Sequence, residues 1–527
     1  MTDADVAVWA ATAAGVCAAV AAASRGCSVV LLEAGGHVGG MTSGGLGWTD
    51  LGDERVVGGY AARFRAEVAA HYGVPVGRYA GPEPHVAEAI LDRWLADAGV
   101  DVRLGVRLDG VTTRAGRIEA VSVVPADGLT GTGAAPTAFG GGGTVRAGVW
   151  IDASYEGDLL ARAGCTYAVG REDVALHGES LAGRQELLPG RHNLPFGISP
   201  FVDDPTGHRA GPVLPGIRDA PLAPVGAGDG GVMSYGYRVC LTQEPDRIPF
   251  APRPGYDGER FELARRLIAH YARTGFEHTA GWWLGLTPNL PRGRADGNSL
   301  GPFSLSLHDG SAWAYPEADA VGREAIRLRH LHHAQDFCWF LATDPTVPRA
   351  VREEFGTWGL CPDEFTDSDH WPHQLYVREA RRLQGEVVLT QADLQAPTRW
   401  PDTVALGSYH IDIREVQRTW RWAWEHPDPV AHAVTEGYLS VAVPPYPIPY
   451  RALLPRREEC ANLLVPVCVS SSAVAFASVR MEPQYQMLGH AAGLAAALAT
   501  RHHGLVHAVD VAVLQEALHR DGQVLAC

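Results

Sequence analysis

The first 33 residues constrain the fold more tightly than any other stretch. A short apolar run, VAVW (6–9), leads into six small residues, AATAAG (10–15). VCAAVAAASRG (16–26) has helical composition and ends on Gly26, and SVVLLE (28–33) is a second β run closed by an acid. The pattern predicts strand, tight turn, helix and strand, the unit from which doubly wound α/β sheets are built. The turn occupies the place of the dinucleotide fingerprint G-x-G-x-x-G. In that fingerprint the first glycine makes the turn, the second admits a pyrophosphate, and the third lets helix and strand pack. Here the three positions are Ala10, Thr12 and Gly15, so only the third glycine is kept. Glu33 ends the second strand where an acid would hold a ribose 2′-hydroxyl.

A second glycine-rich stretch, EAGGHVGGMTSGGLGWTDLG (33–52), is too rich in glycine for regular structure and too patterned for a linker, which predicts a loop lying against a ligand. Residues 84–100 read as a helix, and the segment to 124 alternates like antiparallel strands. Residues 127–143 are low-complexity and read as the surface loop of a hairpin. The segment 144–164 gives strand, turn and helix once more. From about 171 to 437 prolines, tryptophans and histidines become frequent, with helical stretches at Glu259 to Arg273 and Asp319 to Leu341. The last ninety residues return to the first pattern, with a β run at Leu463 to Val469 and a small-residue helix at 487–500. The expected organisation is a nucleotide domain made from both chain ends, 1–170 and 441–527, with a mixed α+β domain inserted at 171–440.

Composition excludes several chemistries. All 44 cationic residues are arginine, against 60 acids and a net charge of -16. Without lysine there is no Schiff-base enzyme, Ser-Lys dyad or P-loop. The acidic balance argues against nucleic acid and anionic membranes as partners. Nine cysteines with no CxxC pair indicate neither a disulfide framework nor a zinc ribbon and fit a reducing cytoplasm. Val6 to Ala23 is uncharged, yet Asp3 and Asp5 precede it and alanine dominates it, so neither a signal peptide nor a membrane span is expected.

Several longer blocks carry a family resemblance: EAGGHVGGMTSGGLGWTD (33–50), VWIDASYEGDLLARAG (149–164), GRED (170–173), HGESLAG (177–183), WPHQLYVREARRL (371–383), TQAD (390–393), VPPYPIPYRALLPRREECANLLVPVC (443–468) and SVRMEP (478–483). In order and spacing they resemble the bacterial FAD-dependent oxidoreductases with a glutathione-reductase-like nucleotide domain. The resemblance implies bound FAD, an α/β Rossmann-like domain of glutathione-reductase type, and an inserted substrate or cap domain. Carried onto this sequence, it implies that Ala10, Ala11, Thr12, Ala13, Ala14 and Gly15 turn under the pyrophosphate, and that Glu33, followed by Ala34, binds the adenosine ribose. Gly39, Gly40, Met41 and Thr42 would lie along the pyrophosphate and ribityl chain, with Ser43, Gly44 and Gly45 nearer the ring. Val106 matches the backbone position at the adenine edge, and Asp152, Ala153 and Ser154 a turn that closes over the cofactor. Arg480, Met481 and Glu482 would precede a helix whose N-terminus faces the flavin pyrimidine, and Gly489 and Gly493 would let that helix approach closely.

The departures bear on function too. The family commonly has Gly-Gly-Thr-Pro-Ala-Gly at the first turn. A methyl at Ala10 is tolerable only if the backbone there avoids positive φ, which predicts weakened FAD binding. Ala473 stands where the family tends to carry a histidine, and GSYHIDIREVQR (407–418) departs from an expected Asn/Ser/His pattern. Hydride transfer needs a base and a group to place the substrate. The candidates are His373, Tyr376, Arg378, His410, Tyr450 and Arg451. Any of the arginines could instead pair with an acid such as Glu379, Glu458 or Glu459. His37 raises the question of covalent flavin attachment, against a plain loop role. His330, His332 and His333 lack the spacing that completes a metal site, so no metal is expected. Trp420, Trp422 and Trp424 alternate as on one strand face. The leading expectation is a dehydrogenase or oxidase moving hydride from a small polar substrate to flavin N5, with oxygen or another electron acceptor. A non-redox isomerase or cyclase that retains or has lost flavin, and a catalytically dead binding protein, stay open.

Overall fold

A computed structural model describes residues 2–79, 81–126, 142–190, 192–424 and 426–526. Most of the low-complexity segment expected to form a hairpin loop, 127–141, lies outside them. The chain divides into two compact units: residues 1–169, 379–412 and 440–527 form the first, and 170–378 with 413–439 form the second. The sequence reading runs the inserted segment unbroken to 440, whereas this division returns residues 379–412 to the first unit.

In the first unit the opening pattern forms β1 (Thr2–Trp9), α1 (Ala13–Ala23) and β2 (Val29–Leu32). β1 lies in parallel register between β2 and β6 (Gly143–Asp152), with Val6 opposite both Val29 and Val149. β2 pairs in parallel with β3 (Asp101–Arg103), and Leu463–Leu464 pairs in parallel with the end of β6. On the near half of that same edge of β6, β5 (Arg117–Pro125) runs antiparallel and continues to β4 (Val106–Arg114). The order β3-β2-β1-β6-β5-β4 is therefore a parallel sheet extended by an antiparallel ribbon. Val6–Val8 and Val29–Leu32 are near-continuous apolar runs because a parallel sheet is covered on both faces.

α1 explains its own composition. Every residue from Ala13 to Ala22 is buried, so the helix has no solvent face to make amphipathic. The helix Glu482–Thr500 crosses it at backbone contact: a methyl on Gly489 would meet the Ala14 carbonyl oxygen at 2.1 Å, and one on Gly493 the Ala18 oxygen at 2.2 Å. These two glycines serve helix–helix approach rather than the approach to a ligand that the sequence suggests. Among the described residues no helix is long and apolar enough to cross a membrane.

The second unit is less regular. It holds the helices Glu262–Thr274 and Ala320–Thr343, a small sheet built on Val239–Thr242, and the antiparallel pair Gln417–Ala423 with Val430–Glu436. Buried ion pairs tie its segments: Arg171 bridges Asp229 and Glu436, and Arg238 pairs with Asp296. Trp420 and Trp422 share a strand face as expected, with ring centres 6.3 Å apart, and Trp424 stacks on Trp422 at 5.0 Å.

Candidate functional site

The turn after β1 shows how small residues substitute for glycines. Ala10 has φ +73°, the left-handed region in which a methyl is poorly tolerated. Its N–H still bonds the Leu32 carbonyl at 2.8 Å, so sheet geometry imposes the conformation and the methyl bears the strain, about 1–2 kcal/mol. Gly15 is kept because nothing larger fits: a β-carbon would lie 2.0 Å from the Ala10 carbonyl oxygen. Thr12 caps α1, its hydroxyl accepting from Gly15 N at 3.2 Å and donating to the Ala153 carbonyl at 2.8 Å. The first turn of α1 carries no acid of its own, so its dipole favours an anion there.

Glu33 lies against this turn. One carboxylate oxygen accepts from the amide of Ala11 at 2.7 Å and the other from that of Gly35 at 2.7 Å. The Glu33 backbone bonds Val106 N at 2.9 Å, which brings that expected position to the same place. Burial raises the Glu33 carboxyl above its ordinary value, and the backbone amides oppose the rise. A carboxylate has about four acceptor sites, so both oxygens keep capacity for further donors.

The glycine-rich loop folds back over the turn, with Gly39 N donating to Ala11 O at 2.6 Å. Gly39, Gly40 and Gly45 take φ of +102°, +56° and +121°, and a short 3-10 turn runs Gly40–Thr42. Ser43 Oγ bonds the Val38 carbonyl, and Gly44 N the Met41 carbonyl at 3.2 Å. Beside the loop is a buried network. The Tyr155 hydroxyl accepts from Met41 N at 2.9 Å and donates to Glu482 Oε1 at 2.6 Å, and Thr42 Oγ1 donates to Glu482 Oε2 at 2.9 Å. Among the described residues no cation lies within ion-pair distance of this carboxylate, and burial pushes Glu482 from 4.5 to about 7. Thr42, Glu482 and Gln486 border a small recess walled also by Phe64, Val68 and Tyr79. No role for Tyr155 follows from the sequence motifs. Its position directly after the Asp152–Ser154 strand end was the available signal.

Asp152 is a brace. It is fully buried, accepts from Ser154 N, Ser154 Oγ and Leu160 N, and is raised to about 6 by burial. Met481 precedes the Glu482–Thr500 helix, and Arg480 pairs with Asp412 at 2.7 Å. His37 Nδ1 is 2.9 Å from Glu88, a pairing that suits the plain loop role.

Of the six catalytic candidates, two are held by structural partners in the first unit. Tyr450 donates from inside the core to the Val506 carbonyl at 2.9 Å, and Arg451 forms a two-bond fork on Asp402 at 2.8 and 3.0 Å. The expected pairing of an arginine is therefore realised, though with Asp402 rather than with Glu458 or Glu459. His410 is half-buried, 3.8 Å from Asp412. In the second unit Tyr376 and Arg378 come together, the guanidinium 4.6 Å from the ring centre, while His373 is buried beside Phe365. His330 and His333 bond Ser311 Oγ and the Ser304 carbonyl, and no metal-holding cluster occurs among the described residues.

A model of the FAD dependent oxidoreductase family matches residues 5–518. The chain belongs to this family. It is an FAD-dependent enzyme, and the residues at the turn suit that cofactor: an acid-free helix start, a carboxylate at the second strand end, and loop glycines in left-handed backbone. No match is found among curated proteins. Solved structures with partial likeness include a myxobacterial chondrochloren halogenase, CndH, at 19% identity over 30% of this chain and 38% of that one, with a TM-score of 0.23. THI4 of Thermovibrio ammonificans gives 17% over 36% and 75%, with 0.24. A 3-ketosteroid-delta4-(5alpha)-dehydrogenase of Rhodococcus jostii RHA1 gives 16% over 30% and 48%, with 0.20. Likeness of this size says nothing about substrate.

Proposed function

We propose that this oxidoreductase is a dehydrogenase or oxidase acting on a small polar, carboxylate-bearing substrate. The observation that carries the reading is the Ala10–Gly15 turn with the Glu33 carboxylate on its Ala11 amide, in a chain of the FAD-dependent family. In this reading the nucleotide-binding part is of glutathione-reductase type, drawn from 1–170 and 441–527, and 171–440 is the substrate or cap domain. FAD, when bound, supplies a ring that takes hydride at N5 and passes electrons to oxygen or another acceptor.

The chain's own residues would do the rest. The amides at the start of α1 that the Thr12 cap and Glu33 leave over bind pyrophosphate oxygens, and Glu33 accepts from ribose hydroxyls with its remaining lone pairs. Residues Gly39 to Gly45 allow close backbone approach because glycine leaves no β-carbon in the way. Glu482 holds a proton near neutrality, with the Tyr155 hydroxyl between it and Met41 N. Tyr376 and Arg378 are the candidates to place the substrate, and His373 and His410 to take the proton that accompanies hydride.

Anaerobic mixing of the FAD-loaded enzyme with a panel of small hydroxy, amino and unsaturated acids tests this. The expected result is bleaching of the flavin's visible band by at least one of them. Turnover of any such acid with the band unchanged would overturn hydride transfer and favour the isomerase or cyclase reading.

A further inference from the structure

Two cysteines 121 positions apart meet inside the second unit. The strand Val239–Thr242 pairs antiparallel with Gly359–Leu360, with Thr242 opposite Gly359 and Leu241 opposite Leu360. One step further along the same register, Cys240 stands opposite Cys361. Opposed residues of an antiparallel pair send their side chains to one face with Cα atoms about 4.5–5.5 Å apart, inside the span of about 4.4–6.8 Å that a disulfide bridges. The two thiols, free in this structure, are already in contact, Sγ to Sγ at 3.4 Å. They share a small apolar cluster with Leu290 and Phe365.

Burial governs when such a pair can react. Cys240 is 2% exposed and Cys361 0%. Contact with Cys361 and burial hold the Cys240 thiol well above its ordinary value, so in the closed sheet it is a poor nucleophile. Exchange with solutes therefore runs through opening of the short Gly359–Leu360 strand, and either redox state is protected once that strand closes. The bond would also join two segments that already meet. Upstream of Cys240, the Gly236 carbonyl accepts from Tyr376 N at 3.0 Å and the Ser234 carbonyl accepts from Arg378. The chain leaving Cys361 leads to Tyr376 and Arg378, so a bond here fixes the base of the segment that carries them.

We propose that Cys240 and Cys361 form a disulfide that clamps this part of the second unit. One Sγ–Sγ bond forms and two S–H bonds break; the two electrons and two protons go to a low-molecular-weight disulfide such as oxidised glutathione, which leaves as two thiols. The bond forms or fails whatever substrate the enzyme takes.

Equilibration of the full-length, FAD-loaded protein in glutathione buffers tests it, with urea below the unfolding transition to let the strand open. Remaining thiols are then alkylated and the chain is cut at arginine. Cys240 falls in the peptide 239–247 and Cys361 in 353–378, each with no other cysteine. The expected result in oxidised glutathione is these two peptides joined by a bond that dithiothreitol breaks, and in reduced glutathione the same peptides separate. The oxidised protein should melt roughly 5 °C or more above the reduced one, since a bond closing so long a loop restrains the unfolded chain. Cys361→Ala and Cys240→Ala should each abolish both the link and the melting shift, and the peptide map of the parent stands even where neither variant folds. Separate peptides in oxidised glutathione, glutathione carried on either cysteine without the link, Cys165 joined to Cys460 in their place, or a link that leaves melting unchanged would each overturn the proposal.

Discussion

Replacing Glu482 by glutamine should change how stability depends on pH. Glu482 is buried with only hydroxyl donors on its oxygens, and burial moves its carboxyl from 4.5 to about 7. Between those values the folded chain keeps a proton that the unfolded chain has released. The stability this proton represents is therefore fully present below about pH 4.5, is lost as pH rises, and is gone above about 7. At about 1.4 kcal/mol per pH unit the interval corresponds to about 3 kcal/mol. Glutamine carries no charge at any pH and can still accept from one hydroxyl, so Glu482→Gln should gain on the parent by about 1–3 kcal/mol at pH 8 and by nearly nothing at pH 5. Urea unfolding followed by tryptophan fluorescence at both pH values measures this. A parent-to-variant difference that is the same at pH 5 and pH 8, or a variant less stable at pH 8, would refute the reasoning.

Three further substitutions probe the framework. Ala10→Gly relieves the left-handed methyl at the entropic cost of glycine, so a net gain of about 0.5–1 kcal/mol and tighter FAD binding by fluorescence titration are expected. Gly489→Ala drives a methyl onto the Ala14 carbonyl and should cost about 3 kcal/mol or more by thermal or urea unfolding. Arg171→Met leaves Asp229 and Glu436 facing each other, a loss of about 3–5 kcal/mol in the same assay.

The opening of the chain was legible because local signals and global fold agree there. VAVW, the alanine run and SVVLLE became β1, α1 and β2, and alternation after residue 100 became β3 to β5. The helix expected at 487–500 begins earlier, at Glu482, because Pro483 sits near its first position, where a missing N–H costs nothing. What sequence could not give were partners chosen by folding. Tyr155 meets Glu482 across 327 positions, and Arg451 takes Asp402 rather than the acids beside it in sequence. The methyl at Ala10 is visible in the sequence, but its φ is set by the bond from Ala10 to Leu32 and by Gly15 beneath it. Arg418 lies in the divergent 407–418 block, yet its partners Pro302, His308 and Thr435 are brought to it only by folding.

On the function proposed for this chain, the Ala10–Gly15 turn and Glu33 hold FAD. A visible absorption spectrum of the purified protein, followed by acid precipitation, tests this most directly. The predicted result is a flavin spectrum with FAD released into the supernatant, strengthened in Ala10→Gly. A colourless protein that takes up no added FAD would contradict the claim, and colour retained in the pellet would contradict the loop role given to His37.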